Sequence, residues 1–112
     1  MLRRIIKHAE FQSFITAAQS CRTPHFFVPV LPETEGDFAY GITVSAKTGN
    51  AVKRNLLKRR IKAWFANRAT DLPGGVKINL IARSGACLLN WQELSLELES
   101  LLQQLNLQTT EK

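Results

Sequence analysis

Apolar residues alternate with small ones from Phe38 to Ala46, a turn follows at Thr48-Gly49-Asn50, and from Ala51 the apolar positions recur at helical spacing. This change of period sets a strand, a turn and a helix in that order, because a spacing of two fits a pleated strand and a spacing of three to four fits a helix. In the strand, Phe38, Tyr40, Ile42 and Val44 share the core face, while Ala39, Gly41, Thr43 and Ser45 make a thin second face. The helix spans Ala51 to Arg68 and ends before Asp71, Pro73, Gly74 and Gly75; Val76 to Ala82 is the next strand.

The flanking segments complete the order. Phe11, Phe14, Ile15 and Ala18 share one face of a helix predicted over Lys7 to Ala18, which Pro24 bars from extending. His25 to Leu31 is aromatic and β-branched and reads as a strand, with Pro29 marking an edge or a bulge. The acidic stretch 32–37, with Gly36, is the turn to the next strand. A last helix begins after Asn90, with Glu93 placed as in a capping box, and turns Leu94, Leu98, Leu101, Leu102 and Leu105 inward. The order α-β-β-α-β-α gives an α+β class, a small sheet with helices packed on it. One domain covers residues 1–112, with 1–6 and 106–112 expected to be flexible ends. Phe14, Trp64, Phe65 and Trp91 are expected in the core.

Charge is unevenly spread. Residues 47–62 hold seven cations and no acid, and no acid occurs between Phe38 and Arg68, while Glu93, Glu97 and Glu99 gather near the C-terminus. The net charge of +6 and pI of 9.8 therefore understate a local positive field that attracts a polyanion, nucleic acid first. Cys21 and Cys87 have neither Cys-x-x-Cys spacing nor a histidine placed to complete a metal site, so they are expected to be reduced thiols. No signal-peptide run and no membrane-length apolar stretch is found, and a soluble cytoplasmic protein without membrane association is expected. His8 and His25 do not make an acid–base pair suited to metal-free RNA cleavage, and no paired carboxylates stand ready for a two-metal site. No catalytic and no metal-ligating residue is assigned.

On a wheel of 100° per residue, Leu57, Ile61, Trp64 and Phe65 share the buried arc of the basic helix. Arg54, Lys58 and Lys62 form a ridge at its border, and Asn55 and Arg59 widen it. Like charges in such rows destabilise a helix slightly, and a merely solvated face would have mixed in acids. Arginines suited to bidentate phosphate contacts and a glycine turn at the helix start point to RNA phosphates.

Lys47-x-Gly49-x-Ala51-Val52-x-Arg54-Asn55-x-x-Lys58-Arg59 resembles the signature segment of the bacterial ribonuclease P protein family, which reads K-x-G-x-A-V-x-R-N-R-x-K-R-x-x-R. Tyr40 to Ser45 before it, Ile81-Ala82-Arg83 after it, and Glu10-Phe11 in the first helix agree, so the resemblance covers residues 7–105. Two positions depart from it: Leu56 and Lys62 stand where the family has arginines, and Arg60, about 40° from Leu56 on the wheel, is expected to supply part of the missing charge.

The resemblance implies a ribosomal protein S5 domain 2-like α/β sandwich with a left-handed βαβ crossover, against the usual hand of such units. It also implies a non-catalytic subunit of an endoribonuclease, a monomer within its complex, that helps a catalytic RNA remove 5′ leaders from precursor tRNA. Lys47, Lys53, Arg54, Asn55, Lys58, Arg59, Arg60 and Lys62 would dock on the ribonuclease P RNA, with Arg54, Lys58 and Lys62 nearest the leader; Mg²⁺ would be held chiefly by that RNA. A cleft of Phe11, Ile15, Phe27, Thr43 and Ser45 would take the single-stranded leader, its aromatic faces stacking on any base. The alternative is a non-catalytic protein that binds structured RNA, ribosomal or assembly in type, since phosphate contacts position an RNA without naming it.

Overall fold

The computed structural model describes residues 2–33 and 36–110. Eight regular elements follow in the order β1 (Leu2–Arg4), α1 (His8–Gln12), β2 (Gln19–Thr23), β3 (Phe26–Pro32), β4 (Phe38–Thr43), α2 (Ala51–Asn67), β5 (Val76–Ala82) and α3 (Trp91–Thr110). The strands form one sheet in the order β1-β4-β5-β3-β2, with β1, β4 and β5 mutually parallel and β3 antiparallel to both β5 and β2. α2 carries the chain from β4 to its parallel neighbour β5, the crossover that a parallel pair requires.

Alternation gives the sheet two unlike faces. Phe38, Tyr40, Val76, Ile78, Leu80, Phe26 and Val28 point to one side and bury against Leu57, Ile61, Trp64 and Phe65 of α2 and the leucines of α3. Phe65 anchors this layer, stacked on Tyr40 at 4.4 Å and met edge-on by Trp64 at 5.3 Å. The opposite face has a small cluster of Ile5, Phe14 and Ala39, with Phe11 and Leu31 packed against it. α1 covers only part of that face.

Helix ends are chemically marked. Asn50 accepts a hydrogen bond from the Lys53 amide at 2.9 Å, and Asn90 and Glu93 exchange reciprocal bonds of 2.8 and 2.9 Å, the expected capping box. Gly85, at φ 90°, reverses the chain before α3 in a conformation only glycine adopts without strain.

Several expectations need correction. Leu2–Arg4, expected to be a loose end, is β1, paired with β4, and Ile5 beyond it is 2% exposed, because an edge of three residues is enough when Ile5 plugs the small cluster. Gln19–Thr23, unassigned from sequence, is β2, so the sheet has five strands, not three. The first helix keeps its α form only to Gln12 and tightens into a 3₁₀ turn over Ser13–Thr16. Pro29 lies in an internal strand without a bulge: the β3–β5 register, Phe27 opposite Ile81 and Val30 opposite Ile78, runs through it unshifted. β4 ends at Thr43 rather than Ala46, and Trp91 is 41% exposed, not a core anchor. α3 continues as helix through Thr110, where a flexible end from 106 was expected. Part of the acidic turn, Thr34 and Glu35, and the tail residues 111–112 lie outside the described residues.

Candidate nucleic-acid interface

α2 presents its polar face away from the sheet because Leu57, Ile61, Trp64 and Phe65 take the inward arc. On the outward arc Val52, Asn55, Lys58, Arg59 and Lys62 line one shallow recess of about 470 Å³. Four of the eight residues expected to dock RNA thus meet in one place: Asn55, Lys58, Arg59 and Lys62. Val52 adds an apolar wall, 77% exposed, that charge reasoning missed. Lys47 and Lys53 stand exposed around the helix start. Arg54 donates from Nε to the Gly49 carbonyl at 3.1 Å, which fixes its guanidinium beside the turn.

Arg60 departs from expectation. Its Nη1 donates to the Leu89 carbonyl at 3.1 Å, tying α2 to the segment before α3, and it does not line the recess. The charge that Leu56 lacks is not made up there by Arg60.

The field over α2 has little to cancel it. Among the described residues the ion pairs draw on Arg3, His25, Arg68 and Lys77, and none uses a cation between 47 and 62. The acids of α3 are committed elsewhere: Glu93 caps its own helix, Glu97 holds Thr23 and His25, and Glu99 pairs with Arg68. Uncompensated charge in a recess beside an apolar wall suits a phosphate backbone.

A second concavity, about 370 Å³, opens on the other face of the sheet between α1 and β3. Phe11, Phe14 and Ile15 form one wall, Phe27 and Pro29 the other, and Asn79, Ile81, Ala17 and Ser20 complete it. Phe11, Ile15 and Phe27 are brought together as expected, with Ile15 83% exposed. Thr43 does not line the groove but donates from Oγ1 to Asn79 Oδ1 at 2.9 Å, orienting the one amide in its floor. Ser45 lies outside: past the end of β4, it gives its carbonyl to Thr48 Oγ1 at 2.6 Å. Asn79 was missed by sequence reasoning, and its signal was a lone amide in the otherwise apolar second half of β5. It is 6% exposed.

Cations near this groove differ in their neutralisation. Lys77 sits 5.9 Å over the Phe14 ring and 3.6 Å from Glu10, and Arg3 is bound by Glu10 and Glu33. The Arg3 hydrogen bond holds the Glu10 carboxyl below its ordinary range, and burial raises the Cys21 thiol, which like Cys87 is free. No group of His, Cys, Asp and Glu among the described residues is arranged to hold a metal, and no described helix is long and apolar enough to cross a membrane.

A family model described as Ribonuclease P matches residues 2–106. The ribonuclease P protein component of Geotalea uraniireducens (strain Rf4) is 36% identical over 104 residues, covering 92% of this chain and 90% of that protein. A solved RNase P protein from Staphylococcus aureus is 34% identical with a TM-score of 0.81, over 89% of this chain and 92% of that one. The RNase P protein from Thermotoga maritima shares the fold at a TM-score of 0.81 and 24% identity, over 90% of this chain and 96% of that one.

Proposed function

The chain belongs to the ribonuclease P protein family, so its partner is the RNA subunit of that endoribonuclease, and we propose that α2 docks on this RNA while the groove beside α1 grips the single-stranded leader of precursor tRNA. The observation that carries the reading is the unneutralised recess of Asn55, Lys58, Arg59 and Lys62 on a helix whose opposite arc is locked into the core. Arg54, fixed by Gly49, and the exposed Lys47 and Lys53 extend that surface around the turn. Arg60 contributes by holding α2 in place rather than by filling the recess.

The groove supplies what a variable leader requires: aromatic rings that stack on any base, and few polar atoms to discriminate among bases. Hydrolysis of the phosphodiester then rests on the RNA. In this reading the Mg²⁺ ions that the reaction uses are held chiefly by the RNA, whose phosphate repulsion α2 lowers. The protein works as one copy per complex in the cytoplasm.

The test is cleavage of a precursor tRNA by a bacterial ribonuclease P RNA at low Mg²⁺, with and without this protein. Activity that depends on the protein and is lost with Lys58→Ala plus Arg59→Ala supports the reading. Tight, salt-sensitive RNA binding without rescue would instead indicate a general binder of structured RNA.

A further inference from the structure

The leader groove does not end at Phe27. β2 lies one strand beyond β3, about 4.8 Å further out, and its pleat sends Cys21 and Thr23 into the large core and Ser20 and Arg22 to the groove face. The register sets Ser20 opposite Pro29 and Arg22 opposite Phe27, continuing the groove's far wall. Gln104 of α3 grips the outer edge of β2 at this point, accepting from the Arg22 amide at 3.2 Å and donating to its carbonyl at 3.0 Å. Because both backbone groups of Arg22 face Gln104, Arg22 and Phe27 form a non-hydrogen-bonded pair, the kind in which side chains stand closest. The guanidinium carbon accordingly sits 5.5 Å over the Phe27 ring.

Resting on the reading of this groove as the leader site, we propose that Arg22 is its outer anchor, which binds a backbone phosphate of the single strand next to the base that stacks on Phe27. Two other cations on this face are satisfied: Arg3 by Glu10 and Glu33, and Lys77 by Glu10. Arg22 makes no ion pair among the described residues, and its side chain is exposed. A cation held over an aromatic face, with its forked donors open to solvent, meets a base and its phosphate together. The single strand therefore runs from Phe11 across the sheet toward β2, drawn to the outer rim rather than to the neutralised inner wall.

Binding of precursor tRNAs with graded leader lengths to the assembled protein–RNA complex tests this. For leaders long enough to pass Phe27, Arg22→Ala weakens affinity by about three- to tenfold and lowers the logarithmic salt slope by about 1. Leaderless tRNA binds the variant and the wild type equally. Arg22→Lys recovers part of the affinity, since charge remains and the planar fork is lost. Folding is not at issue, because Gln104 holds the backbone of residue 22 whatever its side chain, and equal melting temperatures check it. An unchanged affinity in Arg22→Ala while Phe27→Ala loses leader dependence overturns the outer anchor alone, as does an equal loss on leaderless tRNA. If Phe11→Ala and Phe27→Ala also leave every leader unaffected, the leader reading of the groove falls with it.

Discussion

The missing side chain at position 41 sets where the groove's aromatic wall stands. A Cβ built on Gly41 would fall 2.4 Å from Phe11 Cε1 and 2.8 Å from Cζ, closer than carbon atoms can approach. An aromatic ring seated between α1 and the sheet cannot yield as the tip of a flexible chain does, so Gly41→Ala displaces it. The expected result is a loss of about 1–3 kcal/mol from overpacking, together with weaker binding of leader-bearing tRNA. In a double-mutant cycle with Phe11→Ala the two losses are strongly non-additive, since removing the ring removes the clash; additive losses would show that the ring is not what Gly41 accommodates. Alternation placed Gly41 on the thin face of its strand, but only the fold shows that Phe11 is what needs the space. Asn79 in the floor is a second sensitive position. Thr43→Val removes the donor to its Oδ1 and is expected to cost about 1–3 kcal/mol by leaving a buried oxygen unpaired, whereas Thr43→Ser keeps the hydroxyl and most of the stability. Urea denaturation of the two variants side by side separates the loss of the bond from the loss of the methyl group.

Among the elements, α2 is under the most strain. Its cations repel one another along the outer arc, its first turn contains no acid to complement the helix dipole, and the Asn50 side chain satisfies one of its orphan amides. Asn50→Ala is expected to lower stability by about 1 kcal/mol, with a larger loss at low salt, where repulsion along the helix is least screened. Thermal melts of variant and wild type across a salt series measure this; a salt-independent difference would mean that the cap does not work against that repulsion. The same punctuation explains which elements could be read in advance. α2 and β5 are bounded by Asn50 and by Pro73 to Gly75, and both limits of each emerged within about one residue, as did the start of α3 after Asn90; no such signal marks the far end of α3, which runs on to Thr110. β1 and β2 offered no such signal. β1 has three residues, two of them arginine, and β2 buries only Cys21 and Thr23 of its five because it is an edge strand whose other face is the groove rim. α1 misled in the other direction: the apolar spacing continues to Ala18, but the Ser13 hydroxyl donates to the Glu10 carbonyl at 2.6 Å and the backbone tightens into a 3₁₀ turn. Of the site, the cationic face of α2 was legible because charge and helical spacing are both local. Asn79 and the outer position of Ser45 were not, since they depend on which strand lies next to which.

At the scale of the whole molecule, the two faces of the sheet differ in how they are held, and acid should separate them. The α2 and α3 face rests on a large apolar core, beside which Glu97 pairs with His25 and Glu99 with Arg68, whereas the α1 face has only three buried apolar residues and depends on the ionic knot of Arg3, Glu10 and Glu33. Arg3 joins β1 to α1 by donating to both oxygens of Glu10 at 2.9 and 2.6 Å. That hydrogen bond, reinforced by charge from Arg3 and Lys77, holds the Glu10 pKa below its ordinary 4.5. A carboxyl depressed in the folded state contributes stability that is full above 4.5 and is lost as pH falls through the lowered value. The contribution is modest, since the Arg3 side chain is 40% exposed and solvent screens the pair, but it falls on the face with the least apolar support. Acidification below the carboxylate range is therefore expected to release β1 and α1 while β3, β4 and β5 remain paired. Amide exchange followed by NMR should show protection lost first at Ile5 and Phe11, whose amides bond to the Tyr40 and Lys7 carbonyls at 2.8 and 3.2 Å. Glu10→Gln should bring the same loosening at neutral pH and flatten its dependence on acid. Simultaneous loss of protection across all five strands would show instead that the two faces unfold as one unit. Because Phe11 and Ile15 form the α1 wall of the groove, the acid-loosened state should lose leader grip before α2 loses its hold on RNA.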